Sequence, residues 1–526
     1  MTEKSFSYSS FHSSLEHKPG LRRVKDAWAY KYNVEETRMN TDPFVRKAMK
    51  LWNPEMFESI RGSSKKATLP VGLESFKQFA RIERKRADVP ADFQECLKLA
   101  IQDARHVFTP SEKLIRTAVP DVCDQMNLDS AAGFSFPGKK KSECVEEAYD
   151  AASYIAHFVS AGKKVYIPPC KLALRGHLAD VEEPKTRSVW VYPFELTILE
   201  GKWCLPYYRF LEERSDVVHF GSESMIRLAK LLMSGIANEL ECTEVTLDWS
   251  GFDASVPNFL IDEAFDIIAN SFDERYTRYG MNLVFGGDHM AKKNHAVFDF
   301  LRTYFKKTKI MLPDGSVYSK VHGIPSGSFF TQCIGSIVNY IMVRAIDKYF
   351  GWNGRRFKIL GDDSSFLIPN GRGKVVPSRV SDIAYRAFGV TLKLSKLRIA
   401  QEQKDRKFLG YQCQAYRYER STKEWLSMVM YPERDVEFLE QSAGRVFAYY
   451  LLGGCNDETY CSFFRDYLSR YPVLKGRELP LSRGLKRLFR FVLRIPTDSI
   501  QMPDFGAMDI TAVPFTLSCG DDPFYS

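Results

Sequence analysis

The segment Leu360-Gly361-Asp362-Asp363-Ser364 stands between two short apolar runs, Phe357-Lys358-Ile359-Leu360 and Phe366-Leu367-Ile368. Apolar run, glycine, apolar run is the pattern of two strands joined by a tight turn, because glycine takes the backbone conformation such a turn needs. A turn this short leaves the adjacent carboxylates on a rigid edge, which points to divalent-cation chemistry. The dipeptide alone does not carry that reading. Gly520-Asp521-Asp522 repeats it near the C-terminus, but Pro523 follows at once and cannot donate to a strand ladder. Chemistry is expected at Asp362 and Asp363, and none at Asp521 and Asp522.

A carboxylate pair needs a third acid, and the chain offers one upstream. Glu244-Val245-Thr246-Leu247-Asp248 reads as a strand ending in an acid, and Asp253 follows five residues later. A periodic stretch through Phe259, Leu260, Ala264, Ile267 and Ile268 then reads as a helix. Acids on separate strands suit Mg²⁺, which takes hard oxygen ligands at about 2.0–2.1 Å and keeps room for substrate phosphates. The competing reading is that Asp248 and Asp253 are turn and helix-cap acids, which an isolated pair at this spacing favours. Between the two acidic segments lies His322-Gly323-Ile324-Pro325-Ser326-Gly327-Ser328, opening an apolar helix pattern from Phe329 through Ile334, Ile337, Val338, Ile341 and Met342 to Ala345. Small residues at a helix start let a ligand approach closely and offer it amides and hydroxyls. Alone, the loop is as well explained as a cap.

In this order, the strings Asp248-Trp249-Ser250 with Phe252-Asp253, Pro325-Ser326-Gly327-Ser328 with Phe330-Thr331, Gly335-Ser336-Ile337-Val338-Asn339, and Leu360-Gly361-Asp362-Asp363-Ser364 resemble motifs A, B and C of the viral RNA-dependent RNA polymerases. They look most like the polymerases of partitiviruses, with picobirnavirus polymerases as near relatives. Further matches follow chain order. Ser130-Ala131-Ala132-Gly133-Phe134 resembles motif G, where template RNA enters, which implies RNA-binding roles for Ser130 and Gly133. Lys185-Thr186-Arg187 resembles motif F, whose basic side chains meet the incoming triphosphate; a guanidinium can take phosphate oxygens bidentately and a lysine acts as a point charge. Phe388-Gly389-Val390-Thr391 with Lys393 and Lys396 resembles motif D, whose lysine protonates departing pyrophosphate, and the spacing favours Lys396. Lys407-Phe408-Leu409-Gly410-Tyr411 resembles the motif E hairpin.

The resemblance runs from roughly Ser130 to Cys413. It implies an α+β right-hand polymerase with fingers, palm and thumb, the palm built on an antiparallel sheet with packed helices. The implied activity is RNA-directed RNA synthesis for a double-stranded RNA virus, replicating and transcribing genome segments with two Mg²⁺ or Mn²⁺ ions. Asp248, Asp362 and Asp363 are the implied metal ligands. Lys185, Arg187, Asp253, Ser326, Gly327, Thr331 and Asn339 form the implied nucleotide site. Asp253 fits sugar discrimination, since a carboxylate accepts a hydrogen bond from the 2′-hydroxyl that DNA precursors lack. A reverse transcriptase would put a bulky aromatic there, and a catalytically dead palm serving as an RNA-binding, capsid-associated protein would tolerate loss of the acids. One position departs from many positive-strand relatives, which carry an asparagine four residues after the motif B threonine. Here that place is Gly335, and Asn339 stands one helical turn further on. Expected partners are template and product RNA, nucleoside triphosphates and a viral capsid protein, with the virion interior and host cytoplasm as location.

Composition agrees without deciding. With 526 residues, 44% of them hydrophobic, the chain can bury a large core and divide into several units. Its formal net charge of +9 suits a nucleic-acid channel, where each neutralised phosphate releases counterions. The eleven cysteines include no C-x₂-C pair, so free thiols in a reducing compartment are expected, and no apolar run suggests a leader or a membrane span. The expected organisation is an N-terminal extension over 1–70 strapped across the body, fingers over 71–240, palm over 241–273, a return to the fingers over 274–320, palm over 321–413, thumb over 414–495 and an acidic tail over 496–526. A basic helix is expected over Phe79–Arg86. Another carries Arg483, Lys486, Arg487 and Arg490 on one face, opposite Leu485, Leu488 and Phe489, and Arg483, Arg487 and Arg490 are candidate contacts to product RNA.

Overall fold

A computed structural model of the protein describes residues 6–37, 40–126, 128–214, 217–218, 241–402, 405–409, 411–414, 417–432, 435–451, 454–481, 486 and 499–502. The fold is organised around the helix Thr331–Phe350, in which every residue from Cys333 to Val343 is buried. A surface helix shows one apolar stripe; this one is enclosed on all sides, packing on the helices Gln94–Phe108 and Asn258–Ala269 and on the strand Arg355–Leu360. It stops at Gly351, whose φ of 66° lets its N–H close back on the carbonyls of Asp347 and Lys348.

Beside this helix lies a four-stranded antiparallel sheet in the order Arg355–Leu360, Asp363–Pro369, Cys242–Leu247, Arg398–Ala400. The two central strands are buried along most of their length, and Asp363–Pro369 packs on the long helix. A five-stranded sheet runs Leu21–Val24, Val317–Lys320, Lys309–Met311, Cys170–His177, Lys185–Val191. The N-terminal segment therefore supplies an edge strand to a sheet made of residues far along the chain.

A second hydrophobic core joins the helices Pro43–Trp52 and Pro54–Ile60 to Thr422–Met430, Leu439–Leu451 and Glu458–Arg470, with Met49, Phe57, Trp425, Tyr450, Phe464 and Tyr467 inside. Among the described residues the cysteines are free thiols, and no helix is long and apolar enough to cross a membrane.

The basic helix expected over Phe79–Arg86 is absent. The helix Leu69–Lys77 runs into one 3₁₀ turn, Gln78–Ala80, and the chain then extends to a second, Arg86–Asp88. Packing overrides the local pattern here. Arg81 Nη1 donates to the Ser250 carbonyl at 3.2 Å and to Ser255 Oγ at 2.8 Å. Gly20 lies so close that a Cβ on it would stand 2.1 Å from the Phe79 carbonyl oxygen and 2.3 Å from that of Arg81. Arg483, Arg487 and Arg490, and the acidic tail beyond Met502, lie outside the described residues.

Candidate active site

The register of the four-stranded sheet gathers the acids. Ser364 pairs with Leu247, which sets Asp363 beside Asp248 at one end of the sheet. Leu360 pairs with Asp363, leaving Gly361 and Asp362 as a two-residue turn in which Gly361 has a φ of 59°. The long helix pins this turn from behind. Gly361 N donates to Ser336 Oγ at 2.9 Å, and Asn339 Nδ2 donates to the carbonyls of Gly361 and Asp363 at 2.9 and 3.3 Å. Asn339 Oδ1 accepts from Trp249 Nε1 at 2.8 Å, so one buried amide ties the residue after Asp248 to the aspartate hairpin. Asn339, grouped by its sequence position with nucleotide-binding residues, has its amide committed to the protein framework.

Crowded carboxylates raise one another's proton affinity. Asp363 is pushed up to about 6 by desolvation and then by the charges of Asp362 and Asp248, against the pull of Arg187 and Lys396, although it still presents surface to water. Asp253, in the short helix Phe252–Ser255, is pushed up to about 7 by burial and by Asp362, with Arg187 opposing. Cations face these acids. Lys396 Nζ lies 3.3 Å from Asp248 Oδ2, and the Lys393 N–H closes on the Asp248 carbonyl at 2.8 Å. Lys185 and Arg187 project from the exposed face of Lys185–Val191, alternating with buried Thr186, Ser188 and Trp190. Although Lys185 reaches the surface, partial desolvation by the surrounding chain holds its ammonium below the usual range, Arg187, Lys396 and Lys393 add repulsion, and Asp248 relieves part of it. A cavity of about 270 Å³ opens among Asp248, Asp363, Lys396, Arg398, Lys407 and Phe408. Acids and cations side by side in one cavity suit a ligand that brings both phosphates and metal ions.

The small-residue loop is stitched to two of these elements. Ile324 N donates to the Asp253 carbonyl at 2.6 Å and Gly323 N to that of Val256 at 2.9 Å. Ser326 Oγ accepts from Trp190 N at 3.3 Å, and a Cβ at Gly327 would stand 1.7 Å from the Trp190 carbonyl oxygen, so only glycine lets the loop lie against the strand that bears Lys185 and Arg187. Thr331 Oγ1 closes the loop on the Pro325 carbonyl at 2.7 Å. Beside Tyr192 and Pro193, just past the end of the strand Lys185–Val191, Gly133 turns the chain with a φ of 89°, and exposed Ser130 accepts at its carbonyl from Lys141 N at 2.9 Å. Sequence reasoning did not single out Glu200, a buried acid that accepts from Ser328 and Phe329, or Arg81, which holds the turn carrying Asp253. Glu200 shares its helical run with Glu195 and Lys202, so nothing local distinguishes it.

An antiparallel sheet with Asp248, Asp362 and Asp363 gathered at one end, close to the basic strand Lys185–Val191, is an arrangement that suits template-directed nucleic-acid polymerases. The sequence profile described as "Viral RNA-dependent RNA polymerase" matches residues 83–471, and the chain belongs to that family. It is 30% identical over 270 residues to the RNA-directed RNA polymerase of Cryptosporidium parvum virus 1 (strain KSU-1), covering 47% of this chain and 45% of that one. It is 25% identical over 362 residues to the RNA-directed RNA polymerase of Atkinsonella hypoxylon virus (isolate 2H), covering 60% of this chain and 53% of that one. Both relatives are partitivirus-type polymerases, and the chain spans about half their length. The fold is shared with the RNA-dependent RNA polymerase of a human picobirnavirus, at a TM-score of 0.60 and 15% identity over 83% of this chain and 85% of that one. Its insertion-loop deletion mutant gives 0.59 and 17% over 83% and 87%. The resemblance found in motifs A to C thus extends to family and fold.

Polymerases of this family depend in general on divalent metal ions. Among the described residues, no three His, Cys, Asp or Glu side chains stand in ligating arrangement around one point, and Asp248 pairs instead with Lys396. The donor chemistry nonetheless fits: Asp248, Asp362 and Asp363 offer hard oxygens, and the repulsion from Asp362 and Asp248 that adds to desolvation in raising Asp363 is what a bound cation relieves.

Proposed function

We propose that this chain is an RNA-directed RNA polymerase of a double-stranded RNA virus, joining ribonucleotides on an RNA template to replicate and transcribe genome segments. The observation that supports it best is the strand register that brings Asp363 beside Asp248, facing the cations of Lys185–Val191. Asp248, Asp362 and Asp363 would hold two Mg²⁺ or Mn²⁺ ions. Bound there, the ions would supply activation of the attacking 3′-hydroxyl and stabilisation of the departing oxygen. Arg187 and Lys185 take the triphosphate oxygens, Asp253 accepts from the ribose 2′-hydroxyl, and Lys396 Nζ, released from Asp248, gives its proton to the leaving pyrophosphate. Ser326, Gly327 and Thr331 shape the floor under the incoming nucleotide, and Ser130 and Gly133 line the path of the template. A capsid partner, and residence in the virion interior and host cytoplasm, belong to the same proposal and rest on kinship with the polymerases of double-stranded RNA viruses.

The test is nucleotide incorporation by purified protein on an unprimed RNA template. Asp362→Asn removes a ligand charge while keeping shape, so incorporation falls by about 10²–10³-fold, the equivalent of several kcal/mol of charge stabilisation. RNA affinity is expected to stay near that of the parent. A variant that incorporates within about tenfold of the parent would remove the metal-ion proposal.

A further inference from the structure

Helix Phe194–Arg214 carries no motif residue, yet it touches both loops that the proposed reaction needs. At its start, Phe194 N donates to the Ala132 carbonyl at 3.1 Å, the Lys141 ammonium sits 5.3 Å from the Phe194 ring centre, and Ser135 Oγ donates to Glu195. All three contacts hold the loop over 130–141. Further along, Glu200 is fully buried and accepts from Ser328 Oγ at 2.9 Å on each carboxylate oxygen and from Phe329 N at 2.6 Å. Tyr208 OH donates to the Phe329 carbonyl at 2.6 Å, and a Cβ at Gly201 would come 3.2 Å from the Phe329 ring.

These contacts fall on the residues just before the long helix Thr331–Phe350. The N–H groups on the approach to a helix have no intrahelical partner and, where they are shielded from water, need an acceptor from elsewhere. The loop has no acid of its own between His322 and Phe330. Glu200 therefore holds the approach to the helix from outside, across 128 residues of chain, and Ser328 Oγ in turn accepts from Phe330 N at 3.1 Å.

We propose that Glu200 is a positioning residue for nucleotide binding, holding Ser326 and Gly327 at the height where they meet the incoming nucleotide. The proposal rests on the polymerase reading. Glutamine is the conservative stand-in, because its amide oxygen can still accept from Phe329 N and its amide nitrogen can donate to Ser328 Oγ. Burial pushes the Glu200 carboxyl up to about 8, so loss of charge alone changes little. Alanine leaves the Phe329 N–H buried without an acceptor.

The experiment is steady-state incorporation of a single nucleotide by the full chain, with RNA affinity measured separately. Glu200→Ala raises the nucleotide KM about tenfold or more, while kcat at saturating nucleotide and RNA affinity stay within about threefold and Glu200→Gln stays near the parent throughout. An unchanged KM in Glu200→Ala, or KM, kcat and RNA affinity all failing together, overturns the proposal. Should Glu200→Ala not fold, Tyr208→Phe and Ser328→Ala each remove one anchor of the same loop, and an unchanged KM in both overturns it as well. If the parent itself incorporates nothing, the polymerase reading fails. Amide hydrogen exchange at Phe329 and Phe330 then decides separately: faster exchange in Glu200→Ala than in Glu200→Gln supports the positioning role, and equal exchange removes it.

Discussion

Asp253 illustrates what a single side chain contributes here. Its backbone carbonyl anchors the Ile324 amide, while its carboxyl, raised by burial and by Asp362, stands within the influence of Arg187. That leaves the side chain available to accept from a ribose hydroxyl. Asp253→Ala should lower the preference for ribonucleotides over deoxyribonucleotides by about 5- to 150-fold, the equivalent of roughly 1–3 kcal/mol. The measurement is the ratio of incorporation efficiencies for the two sugars. If that ratio holds while the overall rate drops, Asp253 serves the fold instead. The acids were legible in the sequence because each sits at the end of its own strand or turn. The work of Asn339 was not, because its partners Trp249, Gly361 and Asp363 come from two other segments of chain.

At the scale of elements, the approach of the small-residue loop to the strand Lys185–Val191 decides the geometry of the cleft. A methyl at position 327 would meet the Trp190 carbonyl oxygen at 1.7 Å and its carbon at 2.9 Å, and paired strand backbone cannot easily move aside. Gly327→Ala should therefore destabilise the protein by about 1–3 kcal/mol and depress incorporation. Gly335, one turn into the following helix, makes the contrast. Its Cβ would find nothing nearer than 3.6 Å, and alanine there favours the helix by up to about 1 kcal/mol. Thermal unfolding of the two variants checks the pair: Gly327→Ala melting at or above Gly335→Ala would sink the close-approach argument. Elements with a strong local period, such as Asn258–Ala269 and Thr331–Phe350, were legible. Phe79–Arg86 was misread as helix because contacts with Gly20, Ser250 and Ser255 dictate its path.

Across the whole molecule, residues 42–60 belong to the core formed by helices after residue 420. The join is polar at its centre. Asp42 is fully buried, caps Pro43–Trp52 by accepting from Phe44 N and Val45 N, and also accepts from Ser442 Oγ at 2.8 Å and Arg445 Nη1 at 2.9 Å. Removing one partner of such a pair strands the other charge, at about 3–5 kcal/mol. Asp42→Ala should accordingly lower the melting temperature markedly, and Asp42→Ala with Arg445→Met should recover part of it. Differential scanning calorimetry of parent, single and double variants reads this directly. A single variant that melts with the parent would show that the two ends of the chain are held together by apolar packing alone.

Turn chemistry, strand-end acids and helical period are properties of a few consecutive residues, so the sequence by itself determined the aspartate hairpin, the strand before Asp248, the loop-then-helix at Ser326–Thr331 and, through their order, the family. Contacts between distant segments leave no comparable local trace. Tertiary structure alone decided that Glu200 anchors a loop 128 residues away, that Asn339 joins two acidic segments, that Lys396 lies against Asp248, and that the N-terminal helices complete a core with helices late in the chain. The physical reason is that a buried polar group takes its meaning from the partner that satisfies it, and here that partner comes from another part of the chain.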